Sequence, residues 1–429
     1  MIIIEKDKQI LREIAKRYRE IADMPEMQTR KQQWKALHDL KPQRPMVKLS
    51  PNWLDGYLAD YELRCEDPMV RNVEFNMMIS IRQFENMGDD IVVEPYFRLG
   101  WQGNSMNSTG TDFGEIKITE DHARDGGIAY KSVFPIKTPD DVKRLSAREF
   151  SVDRDSALEM KAVLEDAFGD ILPVRIGNID NFNPNLGDQS FVGNLFIGIT
   201  WDTFKLMGAE AMMLWPYDHP DALQELLAFL VDDKKRFFNY LADEGLLVSN
   251  TDNQVVGATS YGYVSGLPDN KTENVQLTDL WGWSESQETQ MMSPEMFSEV
   301  YLPSMAEIAN MFGLVYYGCC ERIDNKFELI TKQIKNVRSF SISGWSDSES
   351  FMEKLGKDYV ASVKPYPAYV SSPTAAWDDI KNDAKKTWAA AKRNNTPVEV
   401  IFMDVYSSVV TPERAAEWVR IWKDTMGVL

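Results

Sequence analysis

The chain has 429 residues, 66 acidic against 47 basic side chains, and a formal net charge of −19. Apolar residues make up 44% of it and aromatics 11%, which excludes a chain too polar to collapse. So negative a surface repels phosphate backbones and anionic headgroups, so neither nucleic acid nor a membrane is the expected partner; small molecules or a protein are.

The chain starts Met1-Ile2-Ile3-Ile4-Glu5-Lys6, an apolar core far shorter than the run of about 7–15 that a secretory signal needs. Ile10, Ile14, Tyr18 and Ile21 then recur at helical spacing, with a break at Met24-Pro25. This predicts two helices over 5–40, a helical extension of 1–42 ahead of a main domain of 43–429. The first strand is expected at Pro45–Leu49, a helix over about 68–87, and a second strand at Ile91–Glu94. An excursion over about 98–135, rich in Gly, Asn, Ser and Thr, suits an insertion of loops and hairpins at one mouth of a barrel.

From there a punctuation recurs. Thr138-Pro139-Asp140, Asp218-His219-Pro220-Asp221, Ser293-Pro294-Glu295, Ser372-Pro373 and Thr411-Pro412-Glu413 each set a capping side chain beside a proline. A side-chain oxygen there can accept a free first-turn amide, and proline has no amide to leave unpaired, so these predict helix starts. Short apolar runs lie before or between them: Leu172–Ile176, Met212–Trp215, Leu314–Tyr317, Phe340–Ile342, Tyr359–Val363 and Val398–Met403. They read as strands buried on both faces. With a less resolved one around 276–283, the count reaches about eight or nine, which favours a (β/α)8 TIM barrel over a doubly wound sheet. Neither G-x-G-x-x-G after a strand nor G-x-x-x-x-G-K-[ST] is found, so nucleotide folds lose their usual support. The longest apolar run, Leu226–Val231, is far short of the roughly 20 residues of a membrane span.

In a parallel barrel the chemistry collects at the C-terminal ends of the strands. Arg98 follows the second expected strand, Asn178 the third, Glu285 and Glu288 the stretch Trp281-Gly282-Trp283, and Cys319-Cys320-Glu321 the run Leu314–Tyr317. Ser343, Trp345 and Asp347 come after Phe340–Ile342, Lys364 after Val360–Val363, and Asp404 after Ile401–Met403. Thiolates and carboxylates together suit zinc, so Cys319 and Cys320 are candidate ligands, with Asp404 or Glu285 supplying another from a different strand. Neighbouring residues of a strand face opposite ways, so both thiols can share a cavity only if the strand has ended by Gly318. Tyr261, Tyr263, Trp281, Trp283, Tyr316, Tyr317 and Trp345 could ring a pocket for an aryl group or a quaternary ammonium. The histidines are His38, His122 and His219, all in positions that read as structural, which disfavours a serine hydrolase. An odd number of cysteines, Cys65, Cys319 and Cys320, argues against a disulfide framework and for the cytoplasm.

The segments Glu285-Ser286-Gln287-Glu288-Thr289, Ser293-Pro294-Glu295-Met296-Phe297, Tyr317-Gly318-Cys319-Cys320-Glu321 and Ser341-Ile342-Ser343-Gly344-Trp345-Ser346-Asp347 resemble a branch of the uroporphyrinogen decarboxylase-like superfamily. That superfamily has a (β/α)8 fold and includes tetrapyrrole decarboxylases and corrinoid-dependent methyltransferases. The resemblance covers about residues 170–429 well and 40–100 weakly. The decarboxylases carry an arginine-rich segment after the first strand; here it reads Lys48-Leu49-Ser50-Pro51-Asn52-Trp53, without arginine. The methyltransferases bind zinc through H-x-C-G and a cysteine on the last strand. Here the histidine position holds Tyr317, the cysteine is Cys319, and the last-strand position falls near Asp404. The resemblance thus implies a zinc site kept at Cys319 and rebuilt with Asp404 and one of Cys320, Glu321 or Glu285.

The activity that this resemblance implies is that of a substrate-side methyltransferase in a corrinoid-dependent demethylation system. It would move a methyl group from a small O- or N-methylated compound to a cobalamin-binding corrinoid protein, and a homodimer is compatible with that role. Glu285, Glu321 and Asp347 are the expected catalytic acids. Asn178, Tyr261, Trp283, Trp345 and Lys364 are the expected substrate contacts, and Cys319, Cys320 and Asp404 the metal ligands. Two rivals stand beside it: a decarboxylase or lyase holding a carboxylate with Arg98, Arg175 or Lys364, and a non-catalytic ligand-binding relative.

Overall fold

The structure, a computed structural model, describes residues 3–50, 54–101, 103–105, 107–122, 130–179, 195–405 and 409–428. Pro51-Asn52-Trp53 and residues 123–129 of the expected insertion lie outside the described residues. Helix α1 (Glu5–Ala22) buries Ile10, Ile14, Tyr18 and Ile21, and α2 (Pro25–His38) begins on Pro25, where a missing amide removes nothing from the helix.

Six strands lie parallel in one sheet. β1 (Met46–Leu49) is followed in space by β8 (Val398–Phe402), β7 (Val360–Val363), β6 (Val337–Ile342), β5 (Leu314–Tyr317) and β4 (Trp281–Ser284). β2 (Phe97–Trp101) and β3 (Val174–Ile179) form a second parallel pair. Helices connect and flank the strands: α3 (Pro68–Asn86), α4 (Arg154–Phe168), α5 (Ile199–Asp218), α6 (Pro220–Asp243), α7 (Leu302–Ala309), α8 (Phe327–Gln333), α9 (Ser348–Leu355), α10 (Trp377–Asn394) and α11 (Pro412–Met426). Within the excursion, short antiparallel pairs such as Thr119–His122 with Tyr130–Val133 replace long elements.

Among the described residues the ladder does not close into a ring, so what is observed of the expected barrel is a parallel α/β sheet with β1 and β4 at its edges. The β1 edge has a local cause. Asp90 Oδ2 accepts the Val47 amide and Asp89 Oδ2 the Leu49 amide, both at 2.8 Å. These carboxylates occupy the positions that a neighbouring strand's carbonyls would take, so Ile91–Glu94 forms no strand, contrary to the expectation. At the β4 edge, Leu195–Ile197 runs alongside, with Ile197 donating to Trp283 O at 2.7 Å and Trp283 to Leu195 O at 3.0 Å.

Side chains alternate across the strands. Phe402 packs on Trp418 of α11 and Phe340 on Phe351 of α9, so their neighbours Glu399, Ser339, Ser341 and Ser362 face away from those helices. That inner side is filled from the N-terminal ends of the strands by a hairpin over 255–261. In it Val256 donates to Ser260 O at 3.0 Å, and Thr259 takes φ +63° at the tip. Lys48 Nζ donates to Thr259 O at 2.7 Å, Ser260 Oγ to Glu399 Oε2 at 2.9 Å, and Trp281 Nε1 to Gly262 O at 2.9 Å. Gly257 is required by closeness: a Cβ there would overlap the ring of Tyr316. Below, α2 covers the strand starts, with Trp34 Nε1 donating to Asp90 O at 2.9 Å and the His38 ring 5.4 Å from Trp281.

Two sequence expectations are corrected. Met212–Trp215 belongs to α5, with Met212 and Trp215 buried at helical spacing and Leu214 exposed, because a four-residue apolar run has no strand signature of its own. Ser372-Pro373 does not start a helix: Ser372 Oγ donates back to Ala368 O at 2.6 Å, and α10 begins at Trp377.

Candidate functional site

β5 ends at Tyr317, and Gly318 follows at φ +100°, a left-handed conformation that side chains resist. The strand alternation stops there, which lets consecutive thiols meet. Cys319 Sγ lies 3.4 Å from Cys320 Sγ, and the Cys320 thiol donates to Asp404 Oδ2 at 3.4 Å. Asp404 reaches them from the end of β8 with φ +62°, a turn that aspartate tolerates better than most residues. Cys319 is 8% exposed and packs with Trp283, Tyr316 and Met403 on the inner side. Its backbone is held at both ends, the amide by Glu321 Oε2 at 2.9 Å and the carbonyl by Ser341 Oγ at 2.6 Å. Contact with the Cys320 thiol, then burial, pushes the Cys319 thiol well above its ordinary range, and burial pushes the Asp404 carboxyl up. Among the described residues, no group of three His, Cys, Asp or Glu side chains is disposed to hold a metal ion as it stands.

Beside the thiols stands a buried cation. Lys364 Nζ donates to Ser362 Oγ at 2.6 Å, to Tyr316 Oη at 2.7 Å and to Ser362 O at 3.2 Å. Burial lowers it to about 8, opposed by Glu399, Cys319, Cys320 and Asp404. All three ammonium protons therefore have acceptors, the arrangement a buried lysine needs to stay charged.

A second acidic group lies at the ends of β4 and β5. Glu321 is a clamp between the two loops: Oε1 accepts the Ser286 amide while Oε2 accepts that of Cys319, each at 2.9 Å. Glu285, 4% exposed, accepts the Gln287 amide on Oε2 at 2.6 Å, while its Oε1 is buried with no hydrogen-bond partner. Burial, then Glu288 and Glu321, pushes Glu285 well above the ordinary carboxyl range. Glu288 accepts from Thr200 Oγ1 at 2.8 Å, and burial raises it to about 7. A carboxyl held neutral near pH 7 can donate a proton.

Glu288 carries a stability prediction. With its folded pKa at about 7 against an ordinary 4.5, the folded chain keeps between those values a proton that the unfolded chain has released. Stability then falls as pH rises through that window, by up to about 1.4 kcal/mol per pH unit, and levels off above it. Glu288→Gln is expected to flatten this slope in urea titrations from pH 4.5 to 8 and to raise stability at pH 8. A variant with the parental slope would refute the assignment.

Other sequence candidates lie elsewhere. Asp347 is an exposed cap of α9, its Oδ1 accepting the Ser350 amide at 3.2 Å. Asn178 is buried between Gln254 Oε1 at 2.7 Å and the Val248 amide at 2.9 Å. Tyr261 packs edge-on against Trp34 and under Lys48 Nζ in the filling hairpin, at the opposite end of the strands from Cys319. Trp283 does reach the thiols, its Nε1 donating to Gly318 O at 3.1 Å. Trp345 lies after β6, 52% exposed and edge-on to Tyr366. Tyr317, at the histidine position of the resemblance, turns the other way and stacks at a tilt on Phe340.

The sequence expectations give Glu288 no role and omit Thr200, Ser362 and the partnership of Tyr316 with Lys364. A signal for the last is present, since Ser339 and Ser341 on β6 with Ser343 just after it, and Ser362 on β7 with Lys364 just after it, alternate along the chain and mark a polar inner face.

Among the described residues no helix is long and apolar enough to cross a membrane. No protein-family model and no curated protein matches the chain. Among solved structures it is similar to a methyltransferase from Methanosarcina mazei, at 11% identity, over 92% of this chain and 98% of that one, with a TM-score of 0.47.

Proposed function

We propose that this chain is the substrate-side methyltransferase of a corrinoid-dependent demethylation system, built on a closed (β/α)8 ring of which the parallel sheet is the described part. It takes the methyl group of a small O- or N-methylated compound and passes it to a cobalamin-binding protein. The observation that carries the reading is the meeting of Cys319, Cys320 and Asp404 within 3.4 Å contacts beside Lys364, in the segments where the sequence resembles that branch.

Two thiols and a carboxylate fit zinc in the chemistry of their donors, and contacts of 3.4 Å fall slightly inside the roughly 3.6–3.8 Å edges of a tetrahedral zinc site with ordinary bond lengths. Cys319, Cys320 and Asp404 would hold the ion after small outward shifts and loss of the thiol protons. Bound there, zinc supplies a Lewis acid for the heteroatom of the methylated compound. The remaining work falls to the chain's own groups. Lys364 keeps a fixed positive charge at Nζ next to the thiols. Trp283, Tyr316 and Met403 exclude water from Cys319. Glu285, held protonated, and Glu288, about half protonated near pH 7, are the acids available to the demethylated heteroatom. Trp345, exposed at the rim, is the ring for substrate or partner to meet.

The decarboxylase alternative is weakened by its own residues, because Arg98 and Arg175 sit at the starts of β2 and β3 and do not converge with Lys364. Metal analysis of the purified chain, with methyl transfer to an activated cobalamin protein, tests the proposal. About one equivalent of zinc and metal-dependent transfer are expected. Metal-free protein that releases carbon dioxide without any corrinoid partner would replace this reading with the decarboxylase.

A further inference from the structure

A cavity of about 690 Å³ opens at the N-terminal ends of β2 and β3, under α2. Its walls carry six cationic side chains, Lys31, Lys35, Arg98, Lys161, Arg175 and Lys271, against three acidic ones, Glu94, Asp252 and Asp269. That excess runs against the whole chain, whose net charge is −19. Most of the cations are answered locally: Lys31 by Glu94, Lys35 by Asp269, Arg98 by Asp252 and Lys271 by Asp279, each at 2.6 Å. Lys161 reaches Glu165 at 3.4 Å.

Arg175 differs. It is the register partner of Arg98 across the β2–β3 ladder, so two guanidinium groups stand on one face of neighbouring strands, where like charges repel. Asp252 answers Arg98, but among the described residues Arg175 makes no ion pair and lies over the ring of Tyr96, 4.1 Å from its centroid. Gly177, next on that face, sits where a side chain would be crowded: a Cβ there would press on Val248 at 3.1 Å and meet Arg98 at 3.4 Å. The result is a fork of donors over an aromatic ring at the wall of a cavity whose volume suits a small ligand.

We propose that this cavity binds a small organic oxyanion, a carboxylate or phosphate, with Arg175 as its principal contact. A guanidinium offers paired donors matched to either group, and Tyr96, Ile176 and Val248 supply apolar wall for the rest of the molecule. The site is separate from the Cys319 group and independent of the reading given for it.

Calorimetric titration of the full chain with inorganic phosphate and with succinate, at matched ionic strength against sodium chloride, tests this. Saturable binding of at least one probe is expected, and the preferred probe distinguishes phosphate from carboxylate as the ligand group. Arg175→Gln, at an exposed position, should keep the urea midpoint and weaken binding about tenfold or more; Lys161→Gln should weaken it less. Absence of saturable binding by both probes, or equal affinity in the Arg175→Gln chain, would overturn the proposal.

Discussion

Replacing Cys319 by alanine is expected to remove bound zinc and to lower methyl transfer by at least about 100-fold, since even groups that only support metal ligands cost 10–100-fold when lost. The backbone of residue 319 is fixed by Glu321 and Ser341, not by its own side chain, so the loop should keep its course. Stability should fall by about 1 kcal/mol, the ordinary cost of a modest buried truncation. Asp404→Asn is the companion test, because asparagine accepts the left-handed backbone that aspartate adopts at 404 while removing the charge. It should weaken zinc retention without disturbing the fold. Full zinc content and full turnover in the Cys319→Ala chain would leave the proposed reaction without its centre.

Much of the architecture could be read from residue pattern. Proline beside a capping side chain marked true helix starts at Pro139, Pro220, Pro294 and Pro412, because the first-turn chemistry is local. Ser372-Pro373 shows where local chemistry fails: the same serine oxygen served the end of a preceding turn. The tyrosines at 261 and 263 resemble rim aromatics, yet Tyr261 closes the hairpin that fills the inner face from below and Tyr263 follows directly after it. Composition cannot separate the two, since both need rings on apolar surface, and the deciding contacts with Trp34, Lys48 and Glu94 come from residues far away in sequence. Arg98 was misplaced for a simpler reason. A strand boundary moved by several residues, once Asp89 and Asp90 had capped the edge of β1, carries an expected strand end to a strand start. The thiol group was legible because its condition, a strand ending by Gly318, could be stated beforehand and rests on one glycine.

The largest expected loss of stability lies away from the thiols. Lys234 of α6 is fully buried and pairs with Asp202 of α5 at 2.8 Å, and its ammonium also donates to the Ser108 carbonyl in the excursion. Next to it Arg148 binds Asp233 through two nitrogens, at 2.6 and 3.0 Å, and donates to Asn107 O at 2.8 Å. Phe113, Phe150 and Phe237 surround that guanidinium. These charges fasten the excursion to α5 and α6, elements that its short strands could not hold by themselves. Burial pushes Asp202 up and Lys234 down, so each depends on the other to remain charged. Lys234→Met keeps the volume but strands Asp202, whose Oδ1 already has no hydrogen-bond partner, and should cost about 3–5 kcal/mol. Replacing both partners, Asp202→Leu with Lys234→Met, should recover most of that loss, because two matched apolar groups leave no charge to desolvate. Urea unfolding of the parent, single and double variants measures both values. A single variant within about 1 kcal/mol of the parent would mean that the pair already shares its proton as a neutral couple and contributes little as an ion pair.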